Sequence, residues 1–188
     1  MTSTTSLWSL LRQVRDAVRP PRSGRPPAGR GRTRGTPPAG APPHVPSSPG
    51  AGRAVLPDHV GPVGIGYAPE ADGAADPGEI VWTWVPFEED ASRGKDRPVL
   101  VVGWDGPVAL GLMLTSKDHT RDAAREARYG RVWLDLGAGD WDAQGRESEV
   151  RLDRVLRLDP TTVRREGAVL DRARFDLVTS ALMQLRTP

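Results

Sequence analysis

The stretch GEIVWTWVPFEEDASRGKDRPVLVVG (Gly78–Gly103) decides how this chain folds. Ile80, Trp82 and Trp84 alternate with Val81, Thr83 and Val85, the period of two that marks a strand. Both sets are rather apolar, as expected for a strand packed on both faces at the heart of a small barrel. Pro86 cannot donate to a ladder, so it marks the strand's end or an edge. A polar loop then carries a charged cluster into Arg97-Pro98, and Pro98–Val102 is an unbroken apolar run of strand length. Trp104-Asp105-Gly106-Pro107 is a turn by composition, and Val108–Leu114 a third strand. So short a connection joins antiparallel neighbours. Thr115, Ser116 and Lys117 stand where the third strand ends.

Further along, Asp118–Arg128 is charged and alanine-rich and reads as a short surface helix. Arg131–Leu136 alternates well, whereas Glu149–Leu152 and Val155–Leu158 read as two short strands or one bent one. Gly137–Arg146 has the composition of a hairpin loop and lacks the strand-to-helix context of a phosphate-cradling glycine loop. Phe175, Val178, Leu182 and Leu185 form one helical stripe, with Asp171 placed to cap the helix. The expected fold is mainly β: five to six antiparallel strands in a strongly curved sheet, with a C-terminal helix over an open end or edge.

Composition divides the chain. Residues 1–77 hold 14 of the 19 prolines and 11 of the 21 glycines, leaving too few apolar residues to offset the entropy of ordering. Residues 1–19 read as an amphipathic helix, either a short isolated one or one that meets a membrane surface or a partner. Residues 20–76 read as a disordered Pro/Gly/Arg-rich linker, and residues 77–186 as one small domain with one core. Nine arginines against one acid give residues 1–56 a balance of +8, while 17 basic and 23 acidic groups give residues 57–188 a balance of −6. The basic isoelectric point therefore belongs to the tail. Without cysteine there are neither disulfides nor thiolate metal sites, which suits a reducing cytoplasm. No apolar run approaches the roughly 20 residues of a membrane-spanning helix, so no stable membrane insertion is expected.

Chemistry gathers at the strand ends. An arginine and a hydroxyl on neighbouring strands can grip a phosphodiester, because a guanidinium is always charged and its fork fits two phosphate oxygens. Arg97 and Thr115 are that pair, with Ser116 able to share the hydroxyl's role. The chain's two lysines, Lys95 and Lys117, lie two residues before Arg97 and two after Thr115; they either flank a phosphate or are incidental loop cations. His119 is near enough to exchange protons, though a solvated loop histidine is the commoner case. Trp104 and Trp141, in turn-like contexts, either stack on bases or anchor their turns. Trp82 and Trp84 read as core or interface residues. Glu88, Glu89 and Asp90 would repel phosphate, so they read as a solvated loop or as a feature favouring a basic partner. Arg164-Arg165, just before the helix, is a further candidate contact.

Three segments together resemble the PemK/MazF family of toxin endoribonucleases: the Gly78–Trp82 opening, RPVLVV at Arg97–Val102, and the hydroxyl pair ending the next strand. LDRVLRLDP at Leu152–Pro160 resembles the family's last strand, and Arg174–Leu185 its closing helix. The resemblance covers roughly residues 77–186. It implies a small SH3-like barrel, a homodimer, and metal- and cofactor-independent cutting of single-stranded RNA by a cytoplasmic toxin. It also implies neutralisation by a small antitoxin and, in some members, binding of operator DNA with that antitoxin. Thr115 corresponds to the family's catalytic hydroxyl, and the resemblance gives Arg97 an acid/base role beside its charge role. RNA carries its own nucleophile, so the chemistry needs alignment, two proton transfers and charge stabilisation rather than a metal. The expected products are a 2′,3′-cyclic phosphate (or a 3′-phosphate) and a 5′-hydroxyl. The short Val102–Thr115 connection, the net acidic body and the long N-terminal extension depart from the family pattern. They leave a second reading open, a non-catalytic relative that binds nucleic acid or a partner protein.

Overall fold

Two apolar faces on one group of strands organise residues 56–70 and 72–187, which a computed structural model describes. The elements in order are β1 (Glu79–Pro86), β2 (Gly94–Asp105), β3 (Val108–Thr115), α1 (Ala123–Arg128), β4 (Trp133–Gly137), β5 (Ser148–Arg151), β6 (Leu156–Leu158), β7 (Arg165–Val169) and α2 (Arg172–Arg186). The strands run β4-β5-β3-β2-β1-β7, every pairing is antiparallel, and β6 also pairs with β3. The first half of β3 bonds to β6 through Ala109–Gly111, and its last residues, Leu114 and Thr115, bond to β5. One strand thus serves two directions, and the sheet curls into a half-barrel.

Alternation along β1 and β2 fills both sides. Ile80, Leu100 and Val102 join Leu112, Leu114, Leu134 and Val150 beneath α2, which contributes Phe175, Val178, Ala181 and Leu182. Val81, Val85, Val99 and Val101 face the other way, toward Met113, Trp133, Leu156 and Leu158. Burying a side chain of this size stabilises by roughly 1.5–3 kcal/mol, so both clusters matter to a domain this small. Asp171 caps α2 as its spacing implied, its Oδ1 accepting the Arg174 amide at 3.0 Å.

The mainly β fold with a closing helix is the one expected, with more strands. Glu149–Leu152 and Val155–Leu158 form two strands, not one bent one. A seventh strand, β7, arises at Arg165–Val169, where Gly167 and Ala168 carry little strand preference. Pairing of Glu79–Trp82 with this segment, rather than its own propensity, makes it a strand. The amphipathic helix expected over residues 1–19 lies outside the described residues.

Residues 56–70 and 72–76, assigned to a linker by composition, instead pack on the sheet. Ile65 bridges Gly103, the Gly66 amide donates to Val102 at 3.0 Å, and the Tyr67 hydroxyl to Leu170 at 3.0 Å. Val63 and Ala75 are buried. Gly103 makes the crossing feasible, since a Cβ there would run into the Gly64 carbonyl.

Candidate active site

Arg97 lies on the face of β2 that also carries Val99 and Val101. Across β1 its partner is Thr83. Within this hairpin the odd-numbered residues bond to each other, as the Phe87 amide does to the Arg93 carbonyl at 2.9 Å. The even-numbered residues of β2 therefore turn their backbones toward β3. Pro98 is one of them and has no amide to donate, and the β2–β3 register runs only as far as Val99↔Met113. Beyond that point β3 turns away to β5 through Leu114↔Val150 and Thr115↔Glu149. Arg97 on β2 and Thr115 on β3 each lie two residues beyond the last β2–β3 pair, where the two strands part.

The electrostatics there are lopsided. Arg97 is half-buried, and its guanidinium has no hydrogen bond or ion pair among the described residues. Burial pushes its pKa below the ordinary arginine value, and the charges of Arg154 and Arg151 push the same way. These two neighbours are themselves matched. Arg151, with a side chain 7% exposed, ion-pairs with Glu88 and with Asp153, whose Oδ2 lies 2.7 Å from its Nη2. Burial disfavours its charge, but Asp153 and Glu88 outweigh that and hold its pKa above the ordinary value. Arg154 pairs with Asp58 and donates to the Pro86 carbonyl at 2.9 Å. Of these three electrostatically coupled arginines, Arg97 is the one without an anion among the described residues.

Thr115 is 9% exposed, and its hydroxyl oxygen accepts the Lys117 amide at 3.2 Å, while Ser116 and Lys117 are exposed. Its register partner Glu149 is buried, and burial raises that carboxyl's pKa. Glu149 accepts the His119 amide at 2.9 Å, the Thr120 amide at 3.0 Å and the Thr120 hydroxyl at 2.8 Å. The loop after Thr115 is fixed by these bonds.

Lys95 is exposed and shares Arg97's face two residues away. His119 stacks on Trp133 with ring centroids 4.2 Å apart, its Nδ1 3.7 Å from Glu126, and the Arg151 guanidinium stands 5.8 Å over the same indole. Trp104 is 38% exposed, but it is seven residues along β2 from Arg97, about 23 Å at strand rise, beside the β2–β3 turn. Trp104 is thus not among the groups gathered around Arg97. Trp141 is buried and donates to the Ser148 hydroxyl at 3.0 Å, so it anchors its turn and does not stack on bases. Glu88 is no free loop charge but Arg151's counter-ion, and Arg164 ion-pairs with Asp96. Sequence reasoning missed Arg151 and Arg154, whose charges act on Arg97, and Asp153, which pairs with Arg151. The one available signal was R-x-D-R (Arg151–Arg154), charge spaced two apart in an otherwise apolar strand run.

The PemK-like, MazF-like toxin model of type II toxin–antitoxin systems matches residues 76–185. The chain belongs to that toxin family. No curated protein matches the chain. The matched span begins just before β1 and ends within α2, so this PemK/MazF domain takes in Arg97, Thr115, Arg151 and Arg154, while Asp58 precedes it. Membership in a type II system implies an antitoxin partner.

Proposed function

We propose that the PemK/MazF domain is a metal-independent endoribonuclease that cleaves single-stranded RNA. The observation that carries the reading is the half-buried guanidinium of Arg97, which has no anion among the described residues and feels the charges of two more arginines, with Thr115 at the end of the neighbouring strand. A cation held without an anion at partial burial is costly and invites a phosphate. In the proposed reaction the RNA 2′-oxygen attacks the adjacent phosphorus and loses its proton to a base. The bond to the 5′-oxygen breaks, and that oxygen takes up a proton. A 2′,3′-cyclic phosphate and a 5′-hydroxyl result. Arg97 would bind the two non-bridging oxygens as their charge grows, which is electrostatic stabilisation by a preorganised donor. Thr115 and Ser116 would orient the phosphate, and Lys95, Lys117 and His119 would line the approach. Arg97's lowered pKa makes proton donation easier than for a free arginine, although the charge role remains the larger one. A homodimer in the cytoplasm, neutralised by its antitoxin and able to bind operator DNA with it, completes this reading.

The test is to incubate purified protein with a long single-stranded RNA in EDTA and look for 5′-hydroxyl fragments. Cleavage is expected in the wild type and should fall about 10²–10³-fold in Arg97→Ala. Growth arrest on induced expression should likewise disappear in that variant. Cleavage that requires added metal, or that survives Arg97→Ala, would defeat the proposal.

A non-catalytic nucleic-acid- or partner-binding module is the second reading. It is favoured by the burial of Thr115 and by the Lys117 amide bound to its oxygen. Binding of RNA by the wild type with no cleavage under any condition would select it.

A further inference from the structure

Arg154 has a geometry that the cleavage reading does not use. Its Nε lies 2.7 Å from Asp58 Oδ2 and its Nη2 3.2 Å from Oδ1, the two-pronged match of guanidinium to carboxylate that phosphate also makes. The third nitrogen, Nη1, donates to the Pro86 carbonyl at 2.9 Å, so the fork is aimed by β1 independently of Asp58. Asp58 lies on top: its side chain is 40% exposed, that of Arg154 only 9%.

The segment carrying Asp58 is anchored just beyond it. His59 donates its amide to Val155 at 2.8 Å, and Arg186 donates to the His59 and Gly61 carbonyls at 3.2 and 3.1 Å. Residues 56–58 extend past those anchors. Leu56 and Asp58 then line a groove of about 60 Å³ together with Thr83, Pro86 and Leu156. Neither arginine lines this groove, but Thr83 is the β1 partner of Arg97 and Pro86 the acceptor of Arg154, so both arginines adjoin the β1 stretch that does. Their proximity is also felt electrostatically, since Arg154 helps to lower the Arg97 pKa.

We propose that Arg154 is a second phosphate subsite near Arg97, occupied in the free protein by the Asp58 carboxylate, which a neighbouring phosphodiester of single-stranded RNA displaces. This rests on the reading of Arg97 as the phosphate-binding group of an RNA site. The resident acid would act as a competitor that any RNA must outbid, and it comes from outside the matched toxin domain.

The probe is a 2′-O-methyl oligonucleotide, which lacks the nucleophile and reports binding alone, titrated against full-length protein at several salt concentrations. Asp58→Asn is expected to tighten binding about three- to tenfold at low salt and to steepen the log–log salt dependence by about one phosphate's worth. Asp58→Glu should behave as wild type. Arg154→Gln should weaken binding and remove the benefit of Asp58→Asn in the double variant. Asp58 is exposed, so the fold should tolerate its replacement, and thermal unfolding of each variant checks that. Unchanged or weaker binding by Asp58→Asn, or a gain that persists without Arg154, overturns the subsite while cleavage of ordinary RNA leaves the ribonuclease reading standing. No binding by any variant overturns both.

Discussion

Arg97 and Glu88 show how single residues take their meaning from neighbours. Arg97→Lys keeps a charge but loses the planar fork, so RNA cleavage should fall about tenfold or more while the thermal midpoint stays close to wild type. A cleavage rate equal to wild type would show that charge alone suffices. Glu88 accepts a hydrogen bond from Arg151, and mainly for that reason its pKa lies below the ordinary 4.5. A depressed carboxyl pKa stabilises the folded state above the unfolded value, and the contribution is lost as pH falls through the folded one. Glu88→Gln should therefore lower the urea midpoint at neutral pH, with the deficit shrinking below about pH 4.5; a deficit constant with pH would show that Arg151 does not depend on this partner. Glu149 has the opposite sign. Its pKa is raised by burial, so its titration favours folding below the unfolded 4.5 and that benefit is lost as pH rises through the folded value. The three donors it satisfies keep it in place nonetheless.

At the scale of elements, caps and crossings can be tested separately. Asp171→Ala removes the acceptor for the Arg174 amide and should cost about 1 kcal/mol, read as a lower thermal midpoint. Gly103→Ala places a Cβ against the Gly64 carbonyl. That substitution should lift the 56–66 crossing off β2, seen as faster amide exchange at Gly66, whose N–H is bonded to Val102. Protection equal to wild type would mean that the sheet yields instead. The strands β1 to β3 were legible from period-two patterning because both of their faces bury apolar side chains. Strand β7 was not, because its pairing with Glu79–Trp82 is a tertiary event that overrides weak local preference. Trp141 could be read as a base-stacking residue or a turn anchor, and its burial selects the anchor.

Over the whole molecule, charge is distributed against expectation for an RNA binder. The body carries a balance of −6 over residues 57–188, yet Glu88, Asp153 and Asp58 spend their charge on Arg151 and Arg154. A net count therefore says little about the surroundings of Arg97, which is left without an anion among the described residues. RNA affinity should fall steeply between about 50 and 200 mM salt, since phosphate contacts release counterions. Salt-independent binding would point to recognition through bases or a protein partner instead. No helix among the described residues is long and apolar enough to cross a membrane.

The chain's own residue pattern determined the three leading strands, the capped helix α2, the membership signalled by Arg97-Pro98 and the Thr115-Ser116 end, and the uneven charge of tail and body. Those features depend on local period, turn chemistry and composition, which read directly from neighbours in sequence. Only the tertiary structure decided that the charges of Arg151 and Arg154 act on Arg97 from more than fifty positions away in sequence. It also decided that Asp58 reaches back across the domain to cover Arg154. The physical reason is that charge pairing and burial act through space, and the curl of β3 from β2 toward β5 brings these segments together.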